Sequence, residues 1–177
     1  MSKTASRHKV KAPTNLNFAI IVCSSSRYEK LKIGEEVTDL SGDLISQVLR
    51  QHGHSVTLRT TIPDDKYQIE QTVKKALKSR KVDVIITCGG TGISSTDVTI
   101  ETVQPLLEKN ILGFGEIFRK ISYEQIGSAA ILTRAIAGLS KGKIIFCVPG
   151  SPQAVLLALE KLILPEAGHI LTHAHEK

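Results

Sequence analysis

Residues 82–92 read VDVIITCGGTG, and this stretch decides the fold class of the 177-residue chain. The first six residues are apolar apart from Asp83 and Thr87, and three glycines lie within the last four. A short apolar run bounded by turn residues is typical of a strand that is buried on both faces, as in a parallel sheet. The stretch therefore predicts a buried parallel strand that ends in a glycine-rich loop.

Four other segments carry strand patterns. Residues 18–23 and 144–148 are continuous apolar runs, whereas residues 56–62 alternate between apolar and polar side chains. We also expect residues 129–133 to form a strand. Apolar stripes at helical spacing lie between the strands, at Leu44, Ile45, Val48 and Leu49 after Ser41, and at Ile69, Val73, Ala76 and Leu77.

Prolines and capping residues mark further helices. One helix is predicted to begin near Asp97 and to be interrupted at Pro105. A long apolar helix is predicted near the end of the chain, with Ser151 as its N-cap, Pro152 as its first residue and Pro165 at its end.

The alternation of strands and helices predicts one α/β domain with a mostly parallel, doubly wound sheet. Residues 113–115 are expected to be a tight connection, and residues 116–123 a short helix. Ligands of such folds bind beyond the carboxyl ends of the strands. Four segments are predicted to meet there: residues 24–26, Asp64, residues 89–92 and residues 149–152.

The net charge of +6 lies mainly on the N-terminal end of the chain. Residues 1–14 hold four basic side chains and no acidic one, which leaves +2 for the rest. We expect residues 1–15 to be a disordered basic tail and residues 16–177 to be the folded domain. With no tryptophan and 4% aromatic residues, the chain offers few stacking platforms, so nucleic-acid binding is not expected as its main function.

The sequence has no apolar stretch of membrane-spanning length and no secretory apolar core, so we expect a cytoplasmic protein without a membrane partner. Three widely spaced cysteines each end an apolar run and are predicted to be buried, inert thiols: Cys23, Cys88 and Cys147. Three histidines near the C-terminus have the spacing of a weak metal clip, although a solvated tail is favoured: His169, His173 and His175.

The loop at residues 89–92 is a candidate phosphate cradle, because glycines let backbone amides approach an anion closely. It is neither a P-loop nor the dinucleotide fingerprint. A tight strand-to-helix turn is an equally good interpretation of the loop taken alone.

Asp64 and Asp97 follow strands and allow two interpretations. Either residue could simply cap a helix. Alternatively, the two carboxylates could hold Mg²⁺, which prefers oxygen ligands and usually takes one or two carboxylates plus substrate oxygens. The strand ends contain no Ser-His-Asp or Cys-His set, so covalent catalysis is not indicated.

Several motifs in order resemble the MoaB/Mog family of molybdenum-cofactor biosynthesis proteins. The resemblance covers roughly residues 16–170, and residues 113–119 and 121–124 are most similar to the MoaB branch. The motifs are Ile62-Pro63-Asp64, residues 87–92 with residues 97–99, residues 113–116 with Ser122, and residues 149–152.

The resemblance implies a three-layer α/β sandwich that assembles as a homo-trimer or hexamer. It also implies Mg²⁺-dependent transfer of AMP from ATP to the terminal phosphate of molybdopterin, with Asp64 and Asp97 as catalytic and metal-binding residues. Further residues would bind the substrates: Ser24, Gly89, Gly90, Thr91, Gly92, Ser94, Gly115, Glu116, Ser122, Pro149, Gly150, Ser151 and Pro152.

Two departures from the family pattern concern nucleotide affinity. Thr96 stands where the family often has arginine, and residues 24–26 are all serine where many members have an aspartate after the first serine. A non-catalytic protein that binds or carries molybdopterin is therefore the alternative function.

Overall fold

A six-stranded sheet organises residues 13–176, the part of the chain that the computed structural model describes. Its strands are β1 (Asn17–Cys23), β2 (Ser55–Ile62), β3 (Val84–Cys88), β4 (Lys109–Asn110), β5 (Ile136–Ser140) and β6 (Lys143–Val148). The spatial order is β2-β1-β3-β6-β5-β4.

Helices connect most of these strands. They are α1 (Ser25–Lys32), α2 (Leu40–Gln51), α3 (Lys66–Lys78), α4 (Thr99–Val103), α5 (Leu112–Ile126), α6 (Pro152–Ala158) and α7 (Leu164–His175). Two 3₁₀ turns, Gln104–Leu106 and Gly127–Leu132, follow α4 and α5, and a π-helical turn, Leu159–Ile163, joins α6 to α7.

Four of the strands, β2, β1, β3 and β6, are parallel neighbours, whereas β5 and β4 are antiparallel additions beyond β6. The predicted mixed α/β class with a mostly parallel sheet is therefore confirmed. Because the four parallel strands end on the same side, the segments that follow them meet at one edge of the sheet. We call this the carboxyl edge; it comprises residues 24–26, 63–65, 89–98 and 149–151.

The strands are buried on both faces because alternate residues enter different apolar clusters. Phe18, Ile20 and Val22 of β1 pack with α2, α5, α6 and α7, whereas Ala19 and Ile21 pack with α3 and α4. Each large apolar side chain buried in this way contributes about 1.5–3 kcal/mol. The two clusters fix the parallel strands, and hence the positions of the loops that leave them.

The strand predicted at residues 129–133 is wrong. These residues lie in the 3₁₀ turn that follows α5, and the strand comes later, as β5. Ile131 is 82% exposed, so the apolar character of this segment does not reflect burial in the sheet.

The tight connection predicted at residues 113–115 is also wrong, because these residues belong to α5. A Cβ on Gly115 would lie 2.6 Å from the carbonyl oxygen of Ala135, so glycine permits a close approach here rather than a turn. The helix that was expected near Asp97 begins two residues later, at Thr99.

Pro165 does not end the C-terminal helix. It occupies the first turn of α7, where its missing N–H is tolerated after the wider π-helical turn. The C-terminal histidines are thus part of α7 rather than a frayed tail, and two of them, His173 and His175, are exposed to solvent as expected.

Most of the predicted basic tail, residues 1–12, lies outside the described residues. Leu16 is buried, and both the tail and the domain boundary at residue 16 stay predictions. Within residues 13–176, no helix has both the length and the apolar character needed to cross a membrane.

Candidate functional site at the carboxyl edge

The glycine loop (residues 89–92) is fixed between the ends of two neighbouring strands. Gly89 has a φ of +105°, and a Cβ there would lie 2.3 Å from the carbonyl oxygen of Cys23 in β1. Its amide donates to the carbonyl oxygen of Val148 in β6 at 3.0 Å. No side chain fits this position, so glycine lets the buried start of the loop pack directly on the end of β1.

Two carboxylates lie directly against the loop. Gly90, with a φ of +62°, would place a Cβ 3.1 Å from Oδ1 of Asp64, and a Cβ on Gly92 would lie 2.8 Å from Oδ2 of Asp97. The two aspartates come from different segments of the chain. The loop therefore brings them to positions two residues apart along its backbone.

Asp64 is held by Ser25 and is not the N-cap of α3. Its Oδ2 accepts hydrogen bonds from the Ser25 amide at 2.8 Å and from the Ser25 hydroxyl at 2.9 Å, so it satisfies the first amide of α1. The N-cap of α3 is the next residue, Asp65, whose carboxylate accepts from the amide of Gln68. Capping of the helix that follows therefore does not account for Asp64.

Asp97 is likewise not a helix cap. The N-cap position of α4 is Val98, without a side-chain hydrogen bond, whereas Asp97 accepts from the Ser94 amide at 2.9 Å. Partial burial acts to raise its pKa, but hydrogen bonds from Ser94 and Gly92, with the nearby charge of Arg134, hold the pKa below its usual value. Asp97 is therefore an anion at neutral pH.

Arg134 holds the loop through hydrogen bonds to its backbone, and the sequence did not predict this residue. Its Nε donates to the carbonyl oxygen of Thr91 at 3.3 Å, and its Nη2 donates to that of Asp97 at 3.1 Å. The guanidinium also forms an ion pair with Glu101, which lowers the pKa of that carboxyl. One side chain thus fixes both ends of the segment that carries the glycines and Asp97.

Residues 149–152 meet the loop from β6. A Cβ on Gly150 would lie 3.3 Å from the Cα of Gly89, and the carbonyl oxygen of Gly150 accepts from the buried Ser41 hydroxyl at 2.7 Å. Ser151 caps α6 by accepting from the amide of Ala154, and Pro152 is the first residue of the helix, as predicted.

The predicted serines also lie at the edge. Ser24 is the N-cap of α1, and its amide donates to the carbonyl oxygen of Ile62 at 2.9 Å. The Ser94 hydroxyl lies 2.8 Å from that of Thr96, within the turn that Asp97 closes. Of the expected set, Ser24, Asp64, residues 89–92, Ser94, Asp97 and residues 149–152 are therefore brought together.

Three further predicted residues, Gly115, Glu116 and Ser122, lie on α5. This helix contacts β5 and α6, and Gly115 packs on the backbone of Ala135, the neighbour of Arg134. Gly115 is therefore connected to the loop only indirectly, through Ala135 and Arg134. The role of all three residues in binding stays a prediction.

Burial raises the pKa of each of the three cysteines, Cys23, Cys88 and Cys147, to about 12. All three are free thiols, which confirms the expectation of buried, inert cysteines. Neutral thiols are poor nucleophiles, so they give the edge no covalent chemistry.

Sequence reasoning missed Arg134 and the anchoring hydroxyl of Ser41. Ser25 lies in residues 24–26, which were predicted to meet Asp64 at this edge, but its hydrogen bonds to Asp64 were not predicted. Arg134 had no signal in the sequence, because the segment before it was assigned to a strand.

The sequence and the described fold match those of known proteins. The family model described as a probable molybdopterin binding domain matches residues 19–169. A Bacillus cereus protein named "Molybdenum cofactor biosynthesis protein B" is 46% identical and covers 98% of this chain and 99% of its own length. A Methanocaldococcus jannaschii protein named "Probable molybdopterin adenylyltransferase" is 44% identical over 92% of this chain and 96% of its own length.

Solved structures agree with these relatives. A crystal structure of a molybdenum cofactor biosynthesis protein B superposes with a TM-score of 0.86 at 46% identity, covering 94% of this chain and all of the other. The tungsten cofactor synthesizing protein MoaB from Pyrococcus furiosus has a TM-score of 0.82 at 41% identity, covering 93% of this chain and all of its own. The chain belongs to the molybdopterin-binding family of molybdenum cofactor biosynthesis proteins, and the names of these relatives agree with the predicted MoaB branch of that family.

Proposed function

We propose that this protein acts in molybdenum cofactor biosynthesis as a molybdopterin adenylyltransferase, which transfers AMP from ATP to the terminal phosphate of molybdopterin. One observation carries the proposal. Neither Asp64 nor Asp97 is the N-cap of the helix that follows it, and both are held against the glycine loop at the carboxyl edge. Two carboxylates beside such a loop supply the oxygen ligands that a cation bound with phosphate groups takes.

The loop is suited to phosphate groups. We expect anionic oxygens to approach the backbone amides of residues 90–92, which carry partial positive charge, because the Gly89 amide already donates to Val148. Residues 149–152 and Ser24 surround the same loop, and we expect them to line the pterin and nucleotide pocket together with Thr91 and Ser94. Gly115, Glu116 and Ser122 are proposed to complete it from α5.

Asp64 and Asp97 fit a hard cation such as Mg²⁺. Both supply carboxylate oxygens, the low pKa of Asp97 keeps it anionic, and Oδ1 of Asp64 lies on the loop side of its carboxylate. Bound there, Mg²⁺ would neutralise part of the charge on the nucleotide phosphates.

The residues of the chain mainly orient the reactants. The attacking group is the terminal phosphate of molybdopterin, which is already anionic, so no general base is required. The inert thiols agree with direct transfer between the two substrates. Alignment in the pocket and preorganised amides then lower a barrier that charge repulsion dominates.

Arg134 bears on the missing arginine at position 96. Its hydrogen bonds are directed to Thr91, Asp97 and Glu101, so its charge acts on the loop rather than on a ligand. We infer that Arg134 is a positioning residue that holds the loop in place. The loop then depends less on an arginine at position 96, beside Asp97.

The decisive experiment is to incubate the protein with molybdopterin, Mg²⁺ and ATP and to measure adenylylated molybdopterin and pyrophosphate. We expect both products in equal amounts, with activity lost when Mg²⁺ is chelated. Tight pterin binding without turnover would instead support the alternative, a non-catalytic carrier, which the Thr96 departure favours. We expect either activity in the cytoplasm.

We also propose that the protein forms a homo-trimer or a hexamer. The long apolar helix that first suggested this is explained by its own core, since Val155, Leu159 and Ile163 are fully buried within the chain. Exposed apolar side chains lie instead on α5 and the turn after it: Leu112, Ile117, Tyr123, Ile126, Ile131 and Leu132. Such a patch favours self-association.

Light scattering tests the assembly. We expect a trimer or hexamer mass for the wild type and a smaller species for Ile117→Glu. Ile33→Glu, at an exposed site on another element, is the matched control and should leave the mass unchanged. A monomer mass for the wild type would reject the proposal.

A further inference from the structure

Two histidines on α7 face each other in an arrangement that the carboxyl edge does not use. His169 and His173 are one helical turn apart, and their Nε2 atoms lie 3.0 Å from each other. The Nδ1 atom of His169 lies 2.9 Å from a carboxylate oxygen of Glu166, and that of His173 lies 2.8 Å from one of Glu176.

These contacts fix the protons on both rings. A carboxylate can only accept a hydrogen bond, so each Nδ1 carries the hydrogen and donates it. In a neutral imidazole the Nε2 atom then holds a lone pair. The two Nε2 atoms thus face each other at hydrogen-bond distance, and either one shared proton or a metal cation between them satisfies both rings.

We propose that His169 and His173 bind a divalent transition metal of the Zn²⁺ class through their two Nε2 atoms. Tetrahedral Zn²⁺ with Zn–N bonds of about 2.0–2.1 Å separates two ligand nitrogens by about 3.3 Å, so the observed pair needs to open by only about 0.3 Å. Histidine ligands that donate their other N–H to a carboxylate are the usual arrangement around such metals, because the carboxylate fixes the ring and raises its basicity.

The surroundings leave room for the remaining ligands. His169 and His173 line a cavity of about 520 Å³, together with Glu108, Lys109 and Gly142. A metal held by two imidazoles keeps positions for water or an anion, and the cavity can hold them. Hard Mg²⁺ prefers oxygen ligands, so this site and the aspartate pair would select different cations.

The site is also remote from the glycine loop. His175, on the same helix, lies 2.9 Å from the carbonyl oxygen of Gly142, which precedes β6, whereas the loop packs on the end of β6 at Val148. Six strand residues separate these points by roughly 17–20 Å. The inference therefore does not depend on the proposed function.

Metal binding is tested on the full chain, freed of metal by chelation, by competition for Zn²⁺ against a chromophoric chelator. We expect one Zn²⁺ per chain, about tenfold or greater weakening in His169→Gln and in His173→Gln, and similar weakening in Glu166→Gln. His175→Gln is the matched control and should bind as the wild type does. Excess Mg²⁺ should not displace the Zn²⁺.

Two further measurements keep the result interpretable if a variant folds poorly. Co²⁺ should give the visible absorption of a nitrogen-ligated ion in the wild type and lose it in both histidine variants. Zn²⁺ should raise the melting midpoint of the wild type and of His175→Gln only. Failure of the wild type to compete with the chelator would overturn the proposal, and so would equal Zn²⁺ affinity in His169→Gln and the wild type.

Discussion

The two edges of the parallel sheet use the same residue type for opposite purposes. At the edge where β1, β3 and β6 begin, which we call the amino edge, Asp83 accepts hydrogen bonds from the amide and the side chain of Asn17 at 2.8 and 2.9 Å. Beside it, the Lys143 ammonium donates to the carbonyl oxygens of Ser79 and Val82. The charges there join neighbouring segments of the scaffold.

At the carboxyl edge, Asp64 Oδ2 accepts from Ser25 while its Oδ1 faces Gly90, and Asp97 Oδ2 accepts from Ser94 and also faces Gly92. The difference teaches that the contacts of an aspartate's carboxylate, and not its position after a strand, distinguish the scaffold from the candidate site. Substitution of Asp83 at the amino edge should therefore change stability, whereas substitution of Asp64 or Asp97 at the carboxyl edge should change turnover.

The largest expected effect is on turnover in Asp97→Asn and Asp64→Asn. Asparagine keeps the shape and the hydrogen bonds from Ser94 or Ser25 but removes the charge that a hard cation needs. Adenylyl transfer should fall more than about a hundredfold, which corresponds to about 3 kcal/mol of transition-state stabilisation. Pterin affinity should survive, and the double variant should be little worse than either single one, because the two groups act as a unit.

The matched control is Asp65→Asn. Asp65 is the true N-cap of α3, and asparagine caps about as well as aspartate, so turnover and the melting midpoint should both stay near wild type. Unchanged turnover in Asp97→Asn, measured as adenylylated pterin formed, would defeat the metal assignment and remove the contrast between the edges.

The next effect in size is expected from Gly89→Ala, which should lower both stability and turnover. Alanine at a positive φ is strained, and its Cβ would lie 2.3 Å from the backbone oxygen of Cys23, which cannot move without shifting β1. We expect a loss of about 2–4 kcal/mol in the free energy of unfolding, measured by denaturant titration.

Gly34→Ala is the control that separates backbone strain at a positive φ from the steric clash of the new Cβ. Gly34 also has a positive φ, +80°, but a Cβ there would meet no atom within 4 Å. Its substitution should cost about 1 kcal/mol. An equal loss at both positions would mean that backbone strain alone makes Gly89 a glycine.

Asp83→Asn tests the amino edge, where a substitution should change stability but not turnover. The substitution weakens the charge-assisted bonds to Asn17 and should lower the free energy of unfolding by about 1–2 kcal/mol, while turnover stays within about twofold of wild type. Denaturant titration and the adenylyl-transfer assay on the same preparations measure the two quantities. A fall in turnover without a fall in stability would contradict the assignment of this edge to the scaffold.

Much of the fold could be predicted, because the parallel strands are continuous apolar runs and the long helices carry clear stripes. The errors have physical causes. In residues 129–133, Ile131 and Leu132 are apolar yet exposed, so hydrophobicity alone predicts a strand there. Pro165 was taken as a helix end, because a π-helical turn that accommodates it leaves no local pattern in the sequence.

The site divides in the same way. The glycines, Asp64 and Asp97 were predicted because each follows a strand and forms part of an ordered motif. Arg134 was missed because its partners, Thr91, Asp97 and Glu101, are more than thirty residues away along the chain. Contacts between loops depend on how the sheet brings its strand ends together. The periodicity of apolar residues in the sequence does not predict such contacts.

The smallest expected effect compares two buried hydroxyls, one in the scaffold and one beneath the glycine loop. Thr87 in β3 and Thr99 at the start of α4 are fully buried, and neither Oγ1 has a hydrogen-bond partner among the described residues. Each lies near a cysteine thiol, which is a weak partner. Replacement by valine keeps the shape and removes an uncompensated polar group.

We therefore expect Thr87→Val and Thr99→Val each to raise the free energy of unfolding by about 1 kcal/mol, and the melting midpoint by about 2–4 °C. Turnover should stay within about twofold in both. The Thr99 amide, which donates to the Gly90 carbonyl oxygen at 3.0 Å, is retained, so the loop keeps its support. A large loss of turnover in Thr99→Val alone would show that the Thr99 hydroxyl supports the loop during the reaction. The candidate site would then include this buried residue beneath the carboxyl edge.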